Sequence, residues 1–240
     1  MIPLNDRELL TLWTEAQPLP PQWRGAALAA HAAPQLSAAD AASLPIARRD
    51  ALLLELRERC FGNLMTALAS CPDCGTRVEI SFEMRDLRGH ASTDERLTVS
   101  VDEFEVEARL PTTRDLAAAA SEASVNDAAE RLLERCVVAA RRAGEPVEAA
   151  ELTPAVRDAV AAKMEEAGAA GDAEISMSCP ECGRAWSALF DAPAFLWSEL
   201  NAAALRVFDD VHALATAYGW SEEAIVSMPR ARRRVYRELV

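Results

Sequence analysis

The stretches Cys71-Pro72-Asp73-Cys74-Gly75 and Cys179-Pro180-Glu181-Cys182-Gly183 repeat one pattern within a chain of 240 residues. A Cys-x-x-Cys turn lets two thiolates reach a single tetrahedral ion at about 2.3 Å. Proline stiffens such a turn, and the following glycine allows the positive φ that directs backbone N–H groups toward the sulfurs. The two matching pairs therefore predict one four-cysteine site of zinc-ribbon type, with Cys71, Cys74, Cys179 and Cys182 holding a structural Zn²⁺.

Two other uses of these cysteines compete with a metal site. A redox Cys-x-x-Cys normally lies at a helix N-terminus, which lowers the pKa of its first thiol, whereas strand-like sequences follow both pairs here. Disulfides are rare in the cytosol, and the start of the chain shows no export signal. A catalytic zinc keeps an open coordination position, so four thiolate ligands favour a structural ion.

Alternating apolar and polar residues predict short strands around both cysteine pairs. Residues 78–84 alternate after the first pair, residues 173–177 lead into the second, and residues 186–190 leave it. Two more alternating runs, 97–101 and 104–110, are separated by two acidic residues and predict a hairpin.

Apolar residues at three- and four-residue spacing predict the helices. The strongest pattern covers residues 46–69 and runs directly into the first cysteine pair, and others cover 129–140 and 196–218. Cys60 and Cys136 lie on these apolar faces and are expected in the core.

Local signals predict several helix ends. Asn5 and Glu8 form a capping pattern for a short first helix, and Thr153-Pro154 opens a later one. Gly219 predicts the end of the long C-terminal helix and Ser221 the cap of the next. Pro229 starts a last helix.

The long separation of the two cysteine pairs sets the predicted domain organisation. The predicted fold class is α+β, mostly helical, with a discontinuous zinc ribbon of short antiparallel strands interrupted by an α/β insertion. The predicted regions are an N-terminal helical region at 1–70, the ribbon at 71–87 and 173–191, the inserted segment at 88–172, and a C-terminal helical region at 192–240. The ion would join remote parts of the chain, so we expect metal removal to unfold the ribbon and free the insert.

Composition argues against several classes of function. The net charge is −13, from 38 acidic and 25 basic residues, so binding to nucleic acid is disfavoured. No apolar run approaches the roughly 20 residues that span a bilayer. No Ser/His/Asp set, phosphate-binding loop or paired-carboxylate site can be argued from spacing, so neither an enzymatic activity nor a small-molecule substrate is expected. We expect the protein in the bacterial cytoplasm.

Several segments resemble a known family. The segments are Phe190-Asp191, Phe195-Leu196-Trp197-Ser198-Glu199-Leu200, the stretch from Val211 to Glu222 that contains Tyr218-Gly219-Trp220-Ser221-Glu222, the stretch 229–236, Arg109-Leu110-Pro111-Thr112 with Arg114-Asp115-Leu116, and both cysteine turns. Together they are similar to the baseplate-hub assembly proteins of T-even-type contractile phages and of related contractile injection systems.

This resemblance implies a role in building or completing a baseplate around the central spike, as an assembly chaperone or a minor component, without catalysis. Its implied partners are hub or spike proteins, and the protein could be incorporated into a phage-tail-like particle. A partner surface could be formed by the aromatic residues at 197, 220 and 236 and the arginines at 232 and 233. Aromatic side chains fit a hydrophobic core equally well. These residues are Trp197, Trp220, Tyr236, Arg232 and Arg233.

Two further functions remain open from the residues. One is a zinc-ribbon regulator that binds nucleic acid, which the ribbon pattern suggests and the net charge opposes. The other is a redox protein that uses a Cys-x-x-Cys pair.

Overall fold

The computed structural model describes residues 4–83, 96–168 and 174–240. The chain is a mixed α/β protein, 55% helical, with small antiparallel sheets, in agreement with the predicted α+β class at that level. The predicted boundaries of the insert, at 87/88 and 172/173, lie outside the described residues, as do Met84 and Ala173 of the alternating runs. The division into four regions stays a prediction.

The chain alternates between helical and extended stretches. The helices are α1 (Asp6–Ala16), α2 (Pro21–Ala32), α3 (Ala38–Ala41), α4 (Ile46–Phe61), α5 (Thr113–Ala119), α6 (Val125–Cys136), α7 (Pro154–Gly168), α8 (Ala192–Tyr218), α9 (Glu222–Val226) and α10 (Arg230–Glu238). The strands are β1 (Leu64–Ser70), β2 (Arg77–Glu83), β3 (Leu97–Val101), β4 (Phe104–Ala108), β5 (Val137–Arg142), β6 (Glu145–Pro146), β7 (Glu174–Ser178) and β8 (Ala185–Leu189). Within the described residues, no helix is both long and apolar enough to cross a membrane.

The larger hydrophobic core joins the two ends of the chain. Helices α1, α2 and α4 pack around α8 and bury leucines from all four helices. The buried leucines include Leu12, Leu28, Leu53, Leu196 and Leu200. The N-terminal and C-terminal helical regions therefore share one core, which brings both flanks of the cysteine motifs onto the same body.

The first helix begins at the predicted cap. The Asn5 side chain accepts a hydrogen bond from the Glu8 amide at 2.9 Å, and the Glu8 carboxylate accepts one from the Asn5 amide at 2.9 Å. This capping box satisfies two amides that a helix start would otherwise leave without a partner.

Asn5→Ala tests this cap. We expect the free energy of unfolding to fall by about 1 kcal/mol, because the first turn loses a side-chain acceptor for its amides. Urea denaturation measures the change, and Glu15→Ala, at an exposed position of the same helix, is the matched control. Equal stabilities for the two variants would contradict the predicted contribution of the cap.

A second core forms between a four-stranded sheet and α7. The sheet has the order β3-β4-β5-β6 with antiparallel pairing, and Val99, Val106, Val156 and Val160 are buried between it and the helix. The predicted hairpin is confirmed. Strands β3 and β4 pair in register from Leu97 opposite Ala108 to Val101 opposite Phe104, and a two-residue turn joins them.

The predicted helix over 46–69 is too long, because α4 ends at Phe61 and residues 64–70 form β1. Gly62 has φ +88°, which ends the helix. Arg57 Nη1 donates to the Gly62 carbonyl at 2.6 Å, and Arg57 Nη2 donates to the Leu64 carbonyl at 2.8 Å. A short continuous apolar run fits either period, and pairing with β2 decides in favour of the strand.

The predicted helix over 129–140 is also too long. Helix α6 ends at Cys136, and Val137–Arg142 forms β5, which pairs with β4. The Cys136 carbonyl accepts a hydrogen bond from the Arg109 amide at 2.9 Å, so the segment that follows β4 binds the last residue of the helix. Cys136 itself is buried, as predicted, and Cys60 is half-buried against the larger core.

At the C-terminus the predicted boundaries hold. Gly219 adopts a left-handed conformation with φ +67° and ends α8. The Ser221 hydroxyl accepts a hydrogen bond from the Ala224 amide at 3.3 Å, and Pro229 precedes α10.

Candidate metal centre

A partly buried ion pair lies at the base of the hairpin that carries the first cysteine turn. Arg57 is 3% exposed, and its Nε and Nη2 donate to the two carboxylate oxygens of Glu199 at 2.9 and 2.8 Å. Because Arg57 also binds the carbonyls at the start of β1, this side chain joins α4, α8 and the first hairpin. A bidentate guanidinium–carboxylate pair restricts relative orientation as well as distance.

The two hairpins that carry the cysteines share a small apolar cluster. Buried Met65 packs against residues from both hairpins and from helices α4 and α8, including Phe82, Ile175, Phe190 and Phe195. The rings of Phe82 and Phe190 lie 5.9 Å apart between centroids, and those of Phe190 and Phe195 lie 5.2 Å apart. Aromatic contacts of this kind stabilise by about 1 kcal/mol beyond burial, so packing brings the hairpins together beneath the sulfurs.

The two cysteine turns have nearly the same backbone geometry. In the first, the Cys71 amide donates to the Thr76 carbonyl at 2.9 Å, and the Gly75 amide donates to the Cys71 carbonyl at 3.0 Å. In the second, the corresponding distances are 2.8 Å, from Cys179 to Arg184, and 3.0 Å, from Gly183 to Cys179.

The glycines of both turns have the positive φ that the sequence pattern predicts. Gly75 has φ +73° and Gly183 has φ +74°. Residues with a Cβ rarely adopt this conformation, so glycine is the residue that closes each turn without strain.

The four sulfurs converge although residues 75–178 separate the pairs. All four Sγ atoms lie within 4.8 Å of one another, with 3.6 Å between Cys71 and Cys182 and 3.5 Å between Cys74 and Cys179. A tetrahedral ion with bonds of about 2.3 Å would hold its sulfurs about 3.8 Å apart. The arrangement therefore fits one ion, and the sulfur separations are too long for the roughly 2.05 Å bond of a disulfide.

The site lies at the surface with one thiol of each pair turned inward. Cys71 and Cys179 are each 3% exposed, whereas Cys74 and Cys182 are exposed. The inner pair packs with Val78, Ile80 and Trp186, which shields that side of the sulfur cluster from water.

The pKa values of the two outer thiols are shifted in opposite directions. The side chain and backbone of Thr76 lower the pKa of the Cys74 thiol to about 6. A backbone hydrogen bond from Arg184 lowers the pKa of Cys182, but desolvation and the neighbouring sulfurs outweigh it and raise that pKa to about 12. A cation held among the sulfurs would favour the thiolate at each of them.

A family model for the T4 bacteriophage base plate protein matches residues 34–197. This span covers more than half of the chain. The chain belongs to the T4 base plate protein family. The expectation drawn from the resemblance is therefore confirmed at the level of the family.

The matched span of the base plate family includes both cysteine turns and the Arg109–Leu116 segment. It ends at residue 197, so the C-terminal segments that contributed to the resemblance lie beyond it. No curated protein and no solved structure matches the chain.

Outside the cysteine cluster, the aromatic residues selected from the sequence occupy two places. Trp197 is half-buried on the larger core, with the Arg24 guanidinium 4.6 Å from its ring centroid. Trp220 stacks on Tyr218 at 4.6 Å and meets the edge of Tyr236 at 4.9 Å. We call Tyr218, Trp220 and Tyr236 the aromatic cluster.

The two arginines selected from the sequence have different environments. Arg232 is exposed, and its guanidinium lies 5.7 Å from the centroid of the Tyr236 ring. Arg233 is 4% exposed, donates to Asp210 at 2.9 Å and pairs with buried Asp6. These contacts give Arg233 an internal role between α10, α8 and α1, and its part in a partner surface stays a prediction.

A buried carboxylate that sequence reasoning did not select connects the sheet to the helical body. Asp115 is fully buried and accepts hydrogen bonds from Arg109 at 2.6 and 3.0 Å, from Arg135 at 2.9 Å, and from the Thr112 hydroxyl at 2.7 Å. Burial raises the pKa of this carboxyl, but the bonds from Arg109 and Thr112 outweigh it and hold the pKa well below its usual range. The Thr-x-x-Asp spacing is a capping-box pattern that could have indicated this site.

Proposed function

We propose that the chain is a non-enzymatic assembly factor or minor structural component of a contractile-tail baseplate hub, stabilised by a structural Zn²⁺. The proposal rests on one observation: four cysteine sulfurs, placed to saturate a tetrahedral ion, lie within the span that matches the base plate family. Four thiolates leave no open position for a substrate or water, so the metal would act as a cross-link.

The rest of the chain prepares the site for that cross-link. The Arg57–Glu199 pair and the cluster around Met65 bring the hairpins together, and the glycine-closed turns direct the sulfurs. The ion would then secure two remote parts of the chain as one rigid unit, which is what a component of a large assembly requires to present a constant binding surface.

Hub or spike proteins are the proposed partners, and the aromatic cluster is the proposed contact. Tyr218 is 38% exposed, and Trp220 and Tyr236 are half-buried beside exposed Arg232. Tyrosine, tryptophan and arginine are enriched among residues that carry most of the energy of protein interfaces. One stacked contact and two edge-on contacts among the three rings hold them in place before a partner binds, which lowers the entropy cost of association.

Co-purification with tail proteins tests this function. We expect the wild-type chain to retain hub or spike proteins from a producing strain, and the Cys179→Ser variant to retain several-fold less, because loss of one ligand would loosen the paired hairpins. Mass spectrometry of the retained proteins gives the measurement.

Cys60→Ser is the matched control, because Cys60 is a half-buried thiol outside the sulfur cluster. This variant should retain the same partners as the wild type. A wild-type chain that retains no tail protein would contradict the proposed function.

A further inference from the structure

A groove of about 970 Å³ lies where both ends of the chain meet. Its walls come from the start of α1, the end of α4, the middle of α8 and one face of α10. Leu205 in its wall is 54% exposed, and half-buried Phe61 also lines it. The groove therefore offers apolar contact area in addition to its charges.

The charge of this groove is opposite to that of the whole chain. Five arginines line it against three aspartates, in a protein whose net charge is −13. The arginines are Arg206, Arg230, Arg233, Arg234 and Arg237, and the aspartates are Asp6, Asp209 and Asp210. The local excess of positive charge favours an anionic ligand.

Ion pairs within the groove use only some of these arginines. Arg230 pairs with Asp6, and Arg237 pairs with Asp209 at 2.8 Å. Arg206 and Arg234 are exposed, and within the described part of the chain neither has a carboxylate partner. No carboxylate in residues 4–83, 96–168 and 174–240 therefore competes with a ligand for these two guanidinium groups.

Buried Arg233 supplies a second, independent observation. Its Nε and Nη2 are bound by Asp210 and Asp6, but its Nη1 is buried, and no acceptor within hydrogen-bonding distance of it occurs in residues 4–83, 96–168 and 174–240. A buried N–H group without an acceptor is costly. Because Arg233 lines the groove, a ligand carboxylate bound there would bring an acceptor close to this N–H group.

We propose that this groove binds an acidic segment of a partner protein, whose carboxylates pair with Arg206 and Arg234 and whose apolar side chains cover Leu205. A guanidinium holds a carboxylate in a bidentate geometry. The net negative charge of the chain would repel a phosphate backbone, which carries a charge at every nucleotide, more than a short peptide segment that places its carboxylates at Arg206 and Arg234. The groove therefore favours a peptide over nucleic acid. This inference rests on the proposed role in binding baseplate proteins and adds the class of partner segment.

Fluorescence anisotropy with a labelled peptide, acetyl-Glu-Glu-Leu-Asp-Glu-Glu-amide, tests the groove on the full chain. We expect binding that weakens with added salt and is lost when glutamine and asparagine replace the acidic residues. The double variant Arg206→Gln/Arg234→Gln should bind the acidic peptide about tenfold more weakly, the combined effect of two modest charge pairs. Both arginines are exposed, so the variant should melt at the wild-type temperature.

Arg48→Gln, at an exposed arginine outside the groove, is the matched control and should bind like the wild type. Equal affinity of the double variant and the wild type would overturn the proposal, as would tighter binding of a single-stranded oligonucleotide of equal charge. Self-association that the double variant abolishes would instead assign the groove to a second copy. If the wild type fails to bind the acidic peptide but still co-purifies with tail proteins, this inference alone is overturned and the proposed function stands.

Discussion

Replacing Cys179 with serine is expected to abolish stoichiometric zinc binding and to lower the midpoint of thermal unfolding by roughly 8–16 °C. Zinc at about a thousand times its dissociation constant stabilises the folded chain by about 4 kcal/mol. In a chain of this length each kcal/mol corresponds to roughly 2–4 °C. Calorimetry with and without a chelator, together with the zinc content per chain, gives the measurement.

A chelator should lower the midpoint of the wild type by the same amount and leave that of Cys179→Ser unchanged. Cys60→Ser should keep one zinc per chain and respond to the chelator as the wild type does, because Cys60 lies outside the cluster of four sulfurs. An unchanged wild-type midpoint after complete chelation would contradict the proposal that a metal ion cross-links the two hairpins.

Metal loss should loosen the hairpins more than the predicted insert. The insert is also held to the helical body by backbone contacts, since Thr112 pairs with Pro45 in an isolated bridge and the Ile46 amide donates to the Pro111 carbonyl at 3.0 Å. Arg49 Nη1 adds a buried hydrogen bond of 3.0 Å to the Thr113 hydroxyl. The sequence alone led us to expect that metal removal would free the insert. With these contacts in place, we expect it to loosen the ribbon and to leave the insert attached to the helical body.

Asp115→Asn should lower the free energy of unfolding by about 3 kcal/mol at neutral pH, which corresponds to a fall of roughly 6–12 °C in the midpoint. The amide keeps the shape of the side chain but removes the charge that Arg109 and Arg135 share. The expected loss lies at the lower end of the range for breaking a buried ion pair. Both arginines are about one-third exposed, so water solvates part of their charge once the carboxylate is gone.

The effect of Asp115→Asn should shrink as the pH falls. The folded-state pKa of Asp115 is held below its ordinary value, so the carboxylate contributes its full stability above the unfolded-state pKa of about 3.9. That contribution is lost progressively below about pH 4, as the pH approaches the lowered pKa of the folded state. Urea denaturation of both proteins between neutral pH and about pH 3 measures the difference.

Asp158→Asn serves as the matched control, because Asp158 is an exposed aspartate on α7. It should leave stability within about 0.5 kcal/mol of the wild type across the same range. A difference between wild type and Asp115→Asn that grows on acidification would contradict the assignment of the stabilising charge to Asp115.

Sequence reasoning selected the four clustered cysteines because the information there is local. Each Cys-Pro-x-Cys-Gly turn specifies its own hydrogen bonds and its own positive φ at Gly75 and Gly183. The capping box at Asn5 and the left-handed Gly219 follow from the same kind of short-range chemistry. Such features depend on a few neighbouring residues, so the rest of the fold hardly affects them.

Sequence reasoning was wrong where a segment's conformation depended on a distant partner. Residues 64–70 and 137–142 carry apolar patterns that fit a helix as well as a strand. The first segment is extended because it pairs with β2, and the second because it pairs with β4. Sheet pairing stabilises a strand through neighbours that local spacing does not reveal.

The amino-acid sequence was sufficient for the two cysteine turns, the helix caps and the family, because turn chemistry and short motifs are properties of neighbouring residues. The convergence of the sulfurs, which the repeated motif predicts, is achieved by the packing of the two hairpins. Tertiary structure alone decided that Arg233 turns inward to Asp6 and that Asp115 binds two arginines. The groove of arginines likewise exists only in the folded chain, since α1 and α10 supply its walls from opposite ends of the sequence. Burial and charge pairing between remote residues are set by packing, and packing is a property of the whole chain.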